Sequence, residues 1–262
     1  MVVCTLHLIA LNEGVTVPAF LSKLRDNNVG LVFKAKALRW IILPSKQSTG
    51  YLLGRNKQWD LLIGLEPDTA IPPAVLSDID ALWTVSYGVS SKVLSGYQAL
   101  NSKLYNSNTP AIALPTVNAQ ESSQNLEISP ELLEWISTLP VNLQNRPVSM
   151  LNLLAFNPGK KAQYMKYGKE FSARVGSAHG GRVKIAARIV DGEGKAKEDG
   201  WDEIAYVHYP SLGHFASMLA NEEYQAVNKE HRLGALRDTF ILCTMEIGDD
   251  GEVVGKALKG KL

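Results

Sequence analysis

The sequence predicts an α+β protein made of two copies of one βαββαβ unit. Two recurring motifs carry this prediction. Residues 6–14 (LHLIALNEG) recur as residues 151–159 (LNLLAFNPG), and residues 59–63 (WDLLI) recur as residues 201–205 (WDEIA). The copies keep their order and nearly the same separation, and each is an apolar run beside a turn signal. A duplicated supersecondary unit leaves this pattern.

The first repeat is predicted over residues 1–114 from its apolar periodicity and its Pro and Gly breaks. Pro18 suits the first turn of a helix, and Ser90 or Ser91 suits the cap of a later one. The predicted elements are, in order, a strand at 2–11, a helix at 17–27, strands at 31–43 and 59–65, helices at 72–83 and from about 90 to 105, and a short strand at 110–114.

The second repeat is predicted over residues 148–262 and follows the same order. Its predicted elements are strands at 148–156, 182–190, 201–209 and 239–247, and helices at 161–176, 211–219 and 222–236. Residues 115–147 form a polar linker, in which Ser129 caps a short helix that has Pro130 at its first position. That helix is expected to cover a sheet edge or a seam.

Composition limits the classes of partner. The chain has 262 residues, with 27 basic and 26 acidic side chains, so nucleic acid and anionic membranes are not expected partners. A small neutral or weakly charged molecule is expected instead, bound by a monomer or a homodimer.

Cys4 and Cys243 lie in apolar runs and predict buried thiols in a reducing compartment. Residues 1–10 resemble a strand rather than a signal peptide, and no apolar run approaches the roughly 18 residues that cross a bilayer. A cytoplasmic location is therefore expected.

The second half also carries a resemblance. Residues 148–247 resemble the dimeric α/β-barrel superfamily. The resemblance is strongest to its uncharacterised branch, which is related to EthD, NIPSNAP and the antibiotic-biosynthesis monooxygenases. The motifs that carry the resemblance are residues 152–156 (NLLAF), 180–183 (GGRV), 201–205 (WDEIA), 209–211 (YPS) and 221–226 (NEEYQA). The whole chain also resembles a group of filamentous-fungal proteins in which both halves are fused.

This resemblance implies two ferredoxin-like repeats that form an intrachain dimeric α/β barrel. It places helices outside and a pocket between the sheets or beneath the helices. Barrels of this kind host heme chemistry, cofactor-free oxygenation of aromatic molecules, isomerisation, decarboxylation and polyketide cyclisation, so the fold does not fix the reaction.

Candidate catalytic residues follow from strand alternation. His7 and Asn152 are equivalent polar residues on otherwise apolar strand faces. His7 is a candidate general base and Asn152 a candidate amide donor to a carbonyl or enolate oxygen, unless each satisfies a buried neighbour. Tyr206 and His208 share a face of one strand, and His208 is the first candidate for moving a proton, with Tyr206 as a donor to an oxyanion. A histidine bound to backbone or water is the alternative.

Candidate substrate-binding residues lie in apolar strands or on one helix face. Arg39 and Arg188 are candidates to anchor a carboxylate or phenolate, or to pair with an aspartate, and Trp40 is a candidate to stack on a ring. Tyr164 and Tyr167 are three residues apart and either roof a pocket or form a core stripe. No zinc, phosphate-loop, flavin or nicotinamide signature is present, so no cofactor is expected, although the five histidines leave heme open.

Two functions follow. The first is a cofactor-independent enzyme that acts on a small aromatic or polyketide-like molecule, by proton transfer, cyclisation, decarboxylation or oxygenation, in fungal secondary metabolism. The second is a non-catalytic protein that binds or sequesters a small molecule, as a stress-associated protein does. An imidazole directed at open volume favours the enzyme, and an all-apolar pocket favours the binding protein.

Overall fold

The computed structural model describes residues 1–116 and 128–258. Its strands are β1 (Val2–Leu11), β2 (Leu31–Ile42), β3 (Leu61–Leu65), β4 (Ile79–Val89), β5 (Val148–Phe156), β6 (Arg182–Ile189), β7 (Glu203–Tyr209) and β8 (Leu236–Glu246). They pair antiparallel and close into one barrel with the strand order β1-β3-β2-β8-β5-β7-β6-β4. The predicted α+β class is confirmed.

Helices connect the strands and cover the barrel. They are α1 (Val17–Asp26), α2 (Thr49–Leu52), α3 (Pro73–Leu76), α4 (Ser91–Tyr105), α5 (Pro130–Thr138), α6 (Val141–Gln144), α7 (Lys161–Glu170), α8 (Gly176–Ala178), α9 (Leu212–Leu219) and α10 (Glu222–Val227). A π-helical turn, Phe171–Val175, joins α7 to α8, and a second one, Asn228–Arg232, continues α10. Within the described residues, none of the helices is long and apolar enough to cross a bilayer.

The two halves of the chain arrange their strands in the same way. The first half has the order β4-β1-β3-β2 and the second has β8-β5-β7-β6. They join edge to edge, through six residue pairs between β2 and β8 and two between β4 and β6. Leu8, Leu153 and Phe240 are among the buried side chains that fill the interior. The two halves therefore share one closed barrel, with these side chains buried in its interior.

The recurring motifs form the same contacts in both halves. The backbone N–H of Leu11 donates to Oδ2 of Asp60 over 2.8 Å, and the N–H of Phe156 donates to Oδ2 of Asp202 over the same distance. Each aspartate thus satisfies a backbone donor at the end of a strand, where the ladder of the sheet stops. The aspartate of each Trp-Asp pair therefore has the same structural role in the two halves.

One stretch of the first half differs from the sequence-based prediction. Residues 72–83 were predicted as a helix, but only Pro73–Leu76 is helical, and the chain then forms β4. Alternate residues of β4, including Trp83, Val85 and Tyr87, are buried in the barrel. This alternation and the β-prone side chains favour a strand. β4 therefore takes the place that was predicted for residues 110–114, which form no strand.

The linker helix and the cysteines follow their predictions. The side chain of Ser129 accepts a hydrogen bond from the N–H of Leu132 and caps α5. Leu132 and Ile136 pack in the same cluster as Ile42 of β2 and Met245 of β8, so α5 covers the junction between these two strands. Cys4 and Cys243 are free and buried, and burial raises the pKa of both thiols.

Candidate functional site

A cavity of about 560 Å³ lies between the outer face of the second half's sheet and the helices that cover it. Strands β5, β6 and β7 form its floor, and α7, the π turn Phe171–Val175, α9 and α10 form its roof. Val183 and Arg188 of β6 are exposed, so the cavity opens to solvent along that strand. Its size is typical of a site for a small organic molecule.

The recurring motif carries larger apolar side chains at the matching positions of the first half. There Leu61 and Ile63 point at α1 and pack against Phe20 in a buried cluster. At the aligned positions the second half has Glu203 and Ala205, both of which line the cavity. The small side chain of Ala205 thus leaves room in the floor of the cavity, and Glu203 supplies a carboxylate there.

Tyrosines form much of the roof. Tyr164, Tyr167 and Tyr224 line the cavity, and the hydroxyls of Tyr167 and Tyr224 are 3.2 Å apart. The rings of Tyr164 and Tyr167 lie 5.4 Å apart, centre to centre. Burial raises the pKa of all three phenols, which are therefore neutral at physiological pH. This wall offers aromatic faces and hydroxyl groups to a bound ring.

Asn152 projects from β5 into the floor. Its Nδ2 donates to the backbone carbonyl oxygens of Met150, over 3.0 Å, and of Ala205, over 3.2 Å. Because both amide hydrogens are directed at carbonyls of the sheet, the orientation of the amide is fixed. Oδ1 is left as an acceptor for a ligand, the opposite of the donor role that the sequence suggested.

Charged side chains lie at the edge of the cavity. The ammonium group of Lys161 is 2.5 Å from Oε1 of Glu203, and Arg188 lies opposite Glu203 in the pairing of β6 with β7. The Glu203 side chain is only 18% exposed, whereas Lys161 is 54% exposed. Glu203 is therefore a shielded carboxylate beside two cations.

Two of the predicted catalytic residues are inside the barrel. The hydroxyl of Tyr206 lies 3.0 Å from that of Thr244, and its ring stacks on Phe33 at 4.7 Å. His208 is buried beside Tyr105 of α4, and burial together with the charge of Lys184 lowers its pKa to about 3. Neither residue lines the cavity.

The third predicted catalytic residue, His7, also lies away from the cavity. Its Nδ1 is 2.8 Å from the hydroxyl of Thr84, and the side chain is 2% exposed. Burial lowers its pKa to about 4. Gly194, in the loop between β6 and β7, sits directly against Thr84 and covers this part of the first half's sheet.

The predicted binding residues divide into two groups. Asn152, Arg188, Tyr164 and Tyr167 all line the cavity. Arg39 instead lies over the ring of Trp135 in α5, at 5.3 Å, and Trp40 packs edge-on against Phe240 at the same distance.

Sequence reasoning missed Glu203 and Lys161 of the cavity, and also Arg232, which is buried in the π turn that packs on α7. Glu203 had a detectable signal, because it replaces Leu61 of the other motif copy on an otherwise apolar strand face. Lys161 and Arg232 lie in helical segments rich in charge and carried no signal that set them apart.

The described residues include no group of three or more His, Cys, Asp and Glu side chains that is placed to hold a metal ion. None of the five histidines is among the cavity residues, so an imidazole ligand for heme is missing from its walls.

Comparisons with known proteins give similarity at the level of structure only. No family model and no curated protein matches the chain. RPA0582, a protein of unknown function from Rhodopseudomonas palustris, is 22% identical to this chain in the matched region, with a TM-score of 0.37. The match covers 45% of this chain and 93% of RPA0582. Its methylated form covers 48% of this chain and 97% of its own, again at 22% identity, with a TM-score of 0.40.

Two further structures span nearly the whole chain. A monooxygenase-like protein from Lactobacillus acidophilus NCFM is 7% identical to this chain, with a TM-score of 0.45. The match covers 97% of this chain and 99% of that protein. An anthrone oxidase-like protein has 11% identity, 98% and 97% coverage, and a TM-score of 0.40. At these values the similarities assign no function. The coordinates themselves define the class, an α+β protein with a closed eight-stranded antiparallel barrel.

Proposed function

We propose that the protein is a cofactor-independent enzyme that binds a small aromatic or polyketide-like metabolite in the cavity beneath α7 and moves a proton on it. One observation carries the proposal: the shielded carboxylate of Glu203 and the fixed amide of Asn152 share a cavity whose other walls are largely aromatic and aliphatic. Such a combination of apolar walls with a few convergent polar groups is typical of sites that bind and orient small molecules.

Binding uses the two opposite walls. A planar ring system enters along β6, lies over the small side chains of Ala186 and Ala205, and contacts the rings of Tyr164 and Tyr167. Oδ1 of Asn152 accepts a hydrogen bond from a hydroxyl group of the ligand. The ligand is therefore a hydroxylated or enolisable aromatic molecule rather than a plain hydrocarbon.

Glu203 is the proposed general base. It takes a proton from a carbon next to a carbonyl group, and the electron pair of that C–H bond moves into the carbonyl to give an enolate. Lys161 and Arg188 stabilise the negative oxygen. Return of the proton to another carbon gives a tautomer. Cyclisation and reaction with dioxygen are further reactions open to this enolate. Decarboxylation of a β-keto acid, in which the electron pair of the broken C–C bond moves into the carbonyl as carbon dioxide leaves, would give an enolate that the same cations stabilise.

The histidines have no part in this mechanism. His7 and His208 are buried outside the cavity, and each has its pKa lowered far below neutral. This arrangement also favours the second candidate function, a non-catalytic binding protein, because the cavity holds no imidazole. The two functions differ in whether a bound enolisable ligand exchanges protons.

Deuterium exchange tests the proposal. The probe is β-tetralone, an aromatic ketone with acidic C–H groups, followed by NMR in deuterium oxide. Wild-type protein is expected to accelerate exchange over buffer, and Glu203→Gln to lose most of that acceleration, about 100-fold or more. Glu198→Gln, at an exposed glutamate away from the cavity, is the matched control.

The outcomes separate the candidates. Binding of β-tetralone without accelerated exchange would identify a binding protein. If exchange persists in Glu203→Gln but is lost in His208→Gln, the base is His208 inside the barrel. That result would overturn the assignment of Glu203.

We also infer that the chain is a duplicated ferredoxin-like unit, with repeats at residues 1–114 and 148–262 and a linker at 115–147. Identical strand orders and the matching bonds of Asp60 and Asp202 support this origin. The free, buried cysteines support a reducing, cytoplasmic compartment. Fungal secondary metabolism is the setting that we propose from the resemblance.

A further inference from the structure

Arg232 is the least expected charged residue near the cavity. It ends the π turn Asn228–Arg232 and is 1% exposed. Both of its terminal nitrogens, Nη1 and Nη2, are buried and form no hydrogen bond of good geometry with the described residues, although the guanidinium is close enough to the hydroxyl of Tyr164 to interact with it. A buried guanidinium normally forms several hydrogen bonds with a carboxylate or with carbonyl groups, so this arrangement calls for a physical reason.

The position of Arg232 links it to the cavity. Its positive charge opposes the burial-driven rise in the pKa of four tyrosines, and all four line the cavity: Tyr164, Tyr167, Tyr209 and Tyr224. The turn that carries Arg232 packs on α7, which supplies two of these tyrosines. The guanidinium therefore lies against the tyrosines of the roof, and Arg232 is not itself one of the residues that line the cavity.

Neighbouring groups do not supply the missing negative charge. Among the described residues, no carboxylate forms an ion pair with Arg232; Glu203 pairs with Lys161 and Glu223 with Arg174. The tyrosines stay neutral because burial raises their pKa values. Within the described part of the chain, the buried cation thus has a phenol beside it but no opposite charge, a state that is unfavourable.

The charges on the cavity walls are mostly positive. The charged residues that line the cavity are Lys161, Lys169, Arg188 and Glu203, three cations and one carboxylate. The chain as a whole is almost neutral, with a net charge of +1. Positive charge is therefore concentrated around this cavity and attracts an anion.

We propose that the cavity takes an aromatic carboxylate, and that Arg232 binds the carboxylate group together with the tyrosine hydroxyls beside it. The inference rests on the proposed function in that the same cavity holds the ligand, and it specifies the substrate class as acidic. A guanidinium binds a carboxylate through two parallel hydrogen bonds, which matches the two Nη atoms that form no hydrogen bond of good geometry with the described residues.

A pair of probes tests this proposal without any substitution. β-Naphthoate carries a carboxylate, and β-naphthamide has nearly the same shape without the charge. Isothermal titration of wild-type protein is expected to show β-naphthoate binding at least about tenfold more tightly than β-naphthamide. Equal affinities would overturn the anion site while leaving the aromatic cavity in place. Failure of both probes to bind would overturn the anion site and the proposed cavity function together.

Substitutions assign the preference to one residue. Arg232→Met is expected to remove the preference for β-naphthoate and to leave β-naphthamide binding unchanged. Lys229→Met, at an exposed position of the same π turn that does not line the cavity, is the control and is expected to keep the preference. A preference that survives in Arg232→Met would overturn the role of Arg232.

Thermal stability separates an anion-binding role from a structural one. Without ligand, Arg232→Met is expected to have a Tm no lower than wild type, because the substitution removes an uncompensated buried charge. β-Naphthoate is expected to raise the Tm of wild type only. A large fall in Tm for the unliganded variant, or its failure to fold, would show that Arg232 stabilises the fold and would contradict the proposal.

Discussion

Asn152 donates a hydrogen bond from Nδ2 to the backbone carbonyl oxygen of Ala205, over 3.2 Å, across the pairing of β5 with β7. A second bond, to Met150, uses the other amide hydrogen. The side chain is therefore anchored to the sheet by its nitrogen and offers its oxygen to the cavity. Ala205 leaves room for a ligand in the cavity floor because its side chain is small. The aligned residue of the first half is the larger Ile63.

Replacement of Asn152 by aspartate tests this anchoring. Asn152→Asp puts a carboxylate oxygen against two carbonyl oxygens and should lower the free energy of unfolding by about 1–3 kcal/mol. Denaturant titration near neutral pH measures the change. Asn56→Asp, at an exposed turn, is expected to change the stability by less than about 0.5 kcal/mol. Equal stability of Asn152→Asp and wild type would mean that the amide is not held as described.

Exchange of aligned residues between the halves tests why the cavity exists. Ala205→Ile places the first half's residue in the cavity floor and should weaken binding of β-naphthamide at least about tenfold, with a change in stability below about 1.5 kcal/mol. Titration and denaturation on the same variant measure both effects. Unchanged affinity would place the ligand elsewhere.

The reciprocal substitution serves as the control. Ile63 is fully buried against α1, so Ile63→Ala should cost about 2–5 kcal/mol of stability, as large-to-small changes in a filled core do. Ligand affinity should stay the same. A small loss of stability would indicate that the first half also contains unfilled space.

The two motif aspartates should be energetically equivalent. Asp60→Ala and Asp202→Ala each remove the acceptor of one strand-end N–H and should each lower the free energy of unfolding by about 1–3 kcal/mol. The double variant should lose close to the sum, because the sites lie in different halves. Effects that differ more than about threefold would argue against a common structural role.

The buried histidines predict a loss of stability in mild acid. The pKa values of His7 and His208 fall from 6.5 to about 4 and about 3, chiefly through burial. Below pH 6.5 both histidines bind protons in the unfolded chain but stay neutral in the folded protein. Their contribution to the free energy of unfolding is therefore complete above pH 6.5 and is lost as the pH falls towards 4.

His7→Gln should flatten that pH dependence. Each histidine accounts for up to about 3 kcal/mol of the change, by the relation between a pKa shift and free energy. Denaturant titrations over this pH range measure it, with His231→Gln, at a half-buried helix position, as the control. An equal slope for His7→Gln and wild type would contradict the account of His7.

Much of the fold could be predicted from the sequence because its signals are local. Apolar alternation located β1, β5 and β7, and Ser129 with Pro130 located the linker helix. The prediction for residues 72–83 was wrong because Pro72 and Pro73 signal a helix start, whereas the β4 pairing that overrides them is a long-range contact.

The site was predicted in part. Strand alternation placed Asn152 on one strand face with Met150 and Leu154, which also line the cavity, and helical spacing placed Tyr164 and Tyr167 together. Alternation alone does not tell which face of a strand meets a cavity and which meets the barrel interior. For this reason His208 and Tyr206 were candidate catalytic residues, whereas Glu203 was not. The importance of Arg232 depends on the opposite charge that it lacks among the described residues, which only the packed structure reveals.

A crystal structure of the protein with bound β-naphthoate tests the central claim most directly. The account predicts ligand density between Ala205 and the rings of Tyr164 and Tyr167, with the carboxylate directed at Arg232. Density beside His208 inside the barrel, or a bound ligand with its carboxylate in solvent and Arg232 untouched, would contradict it.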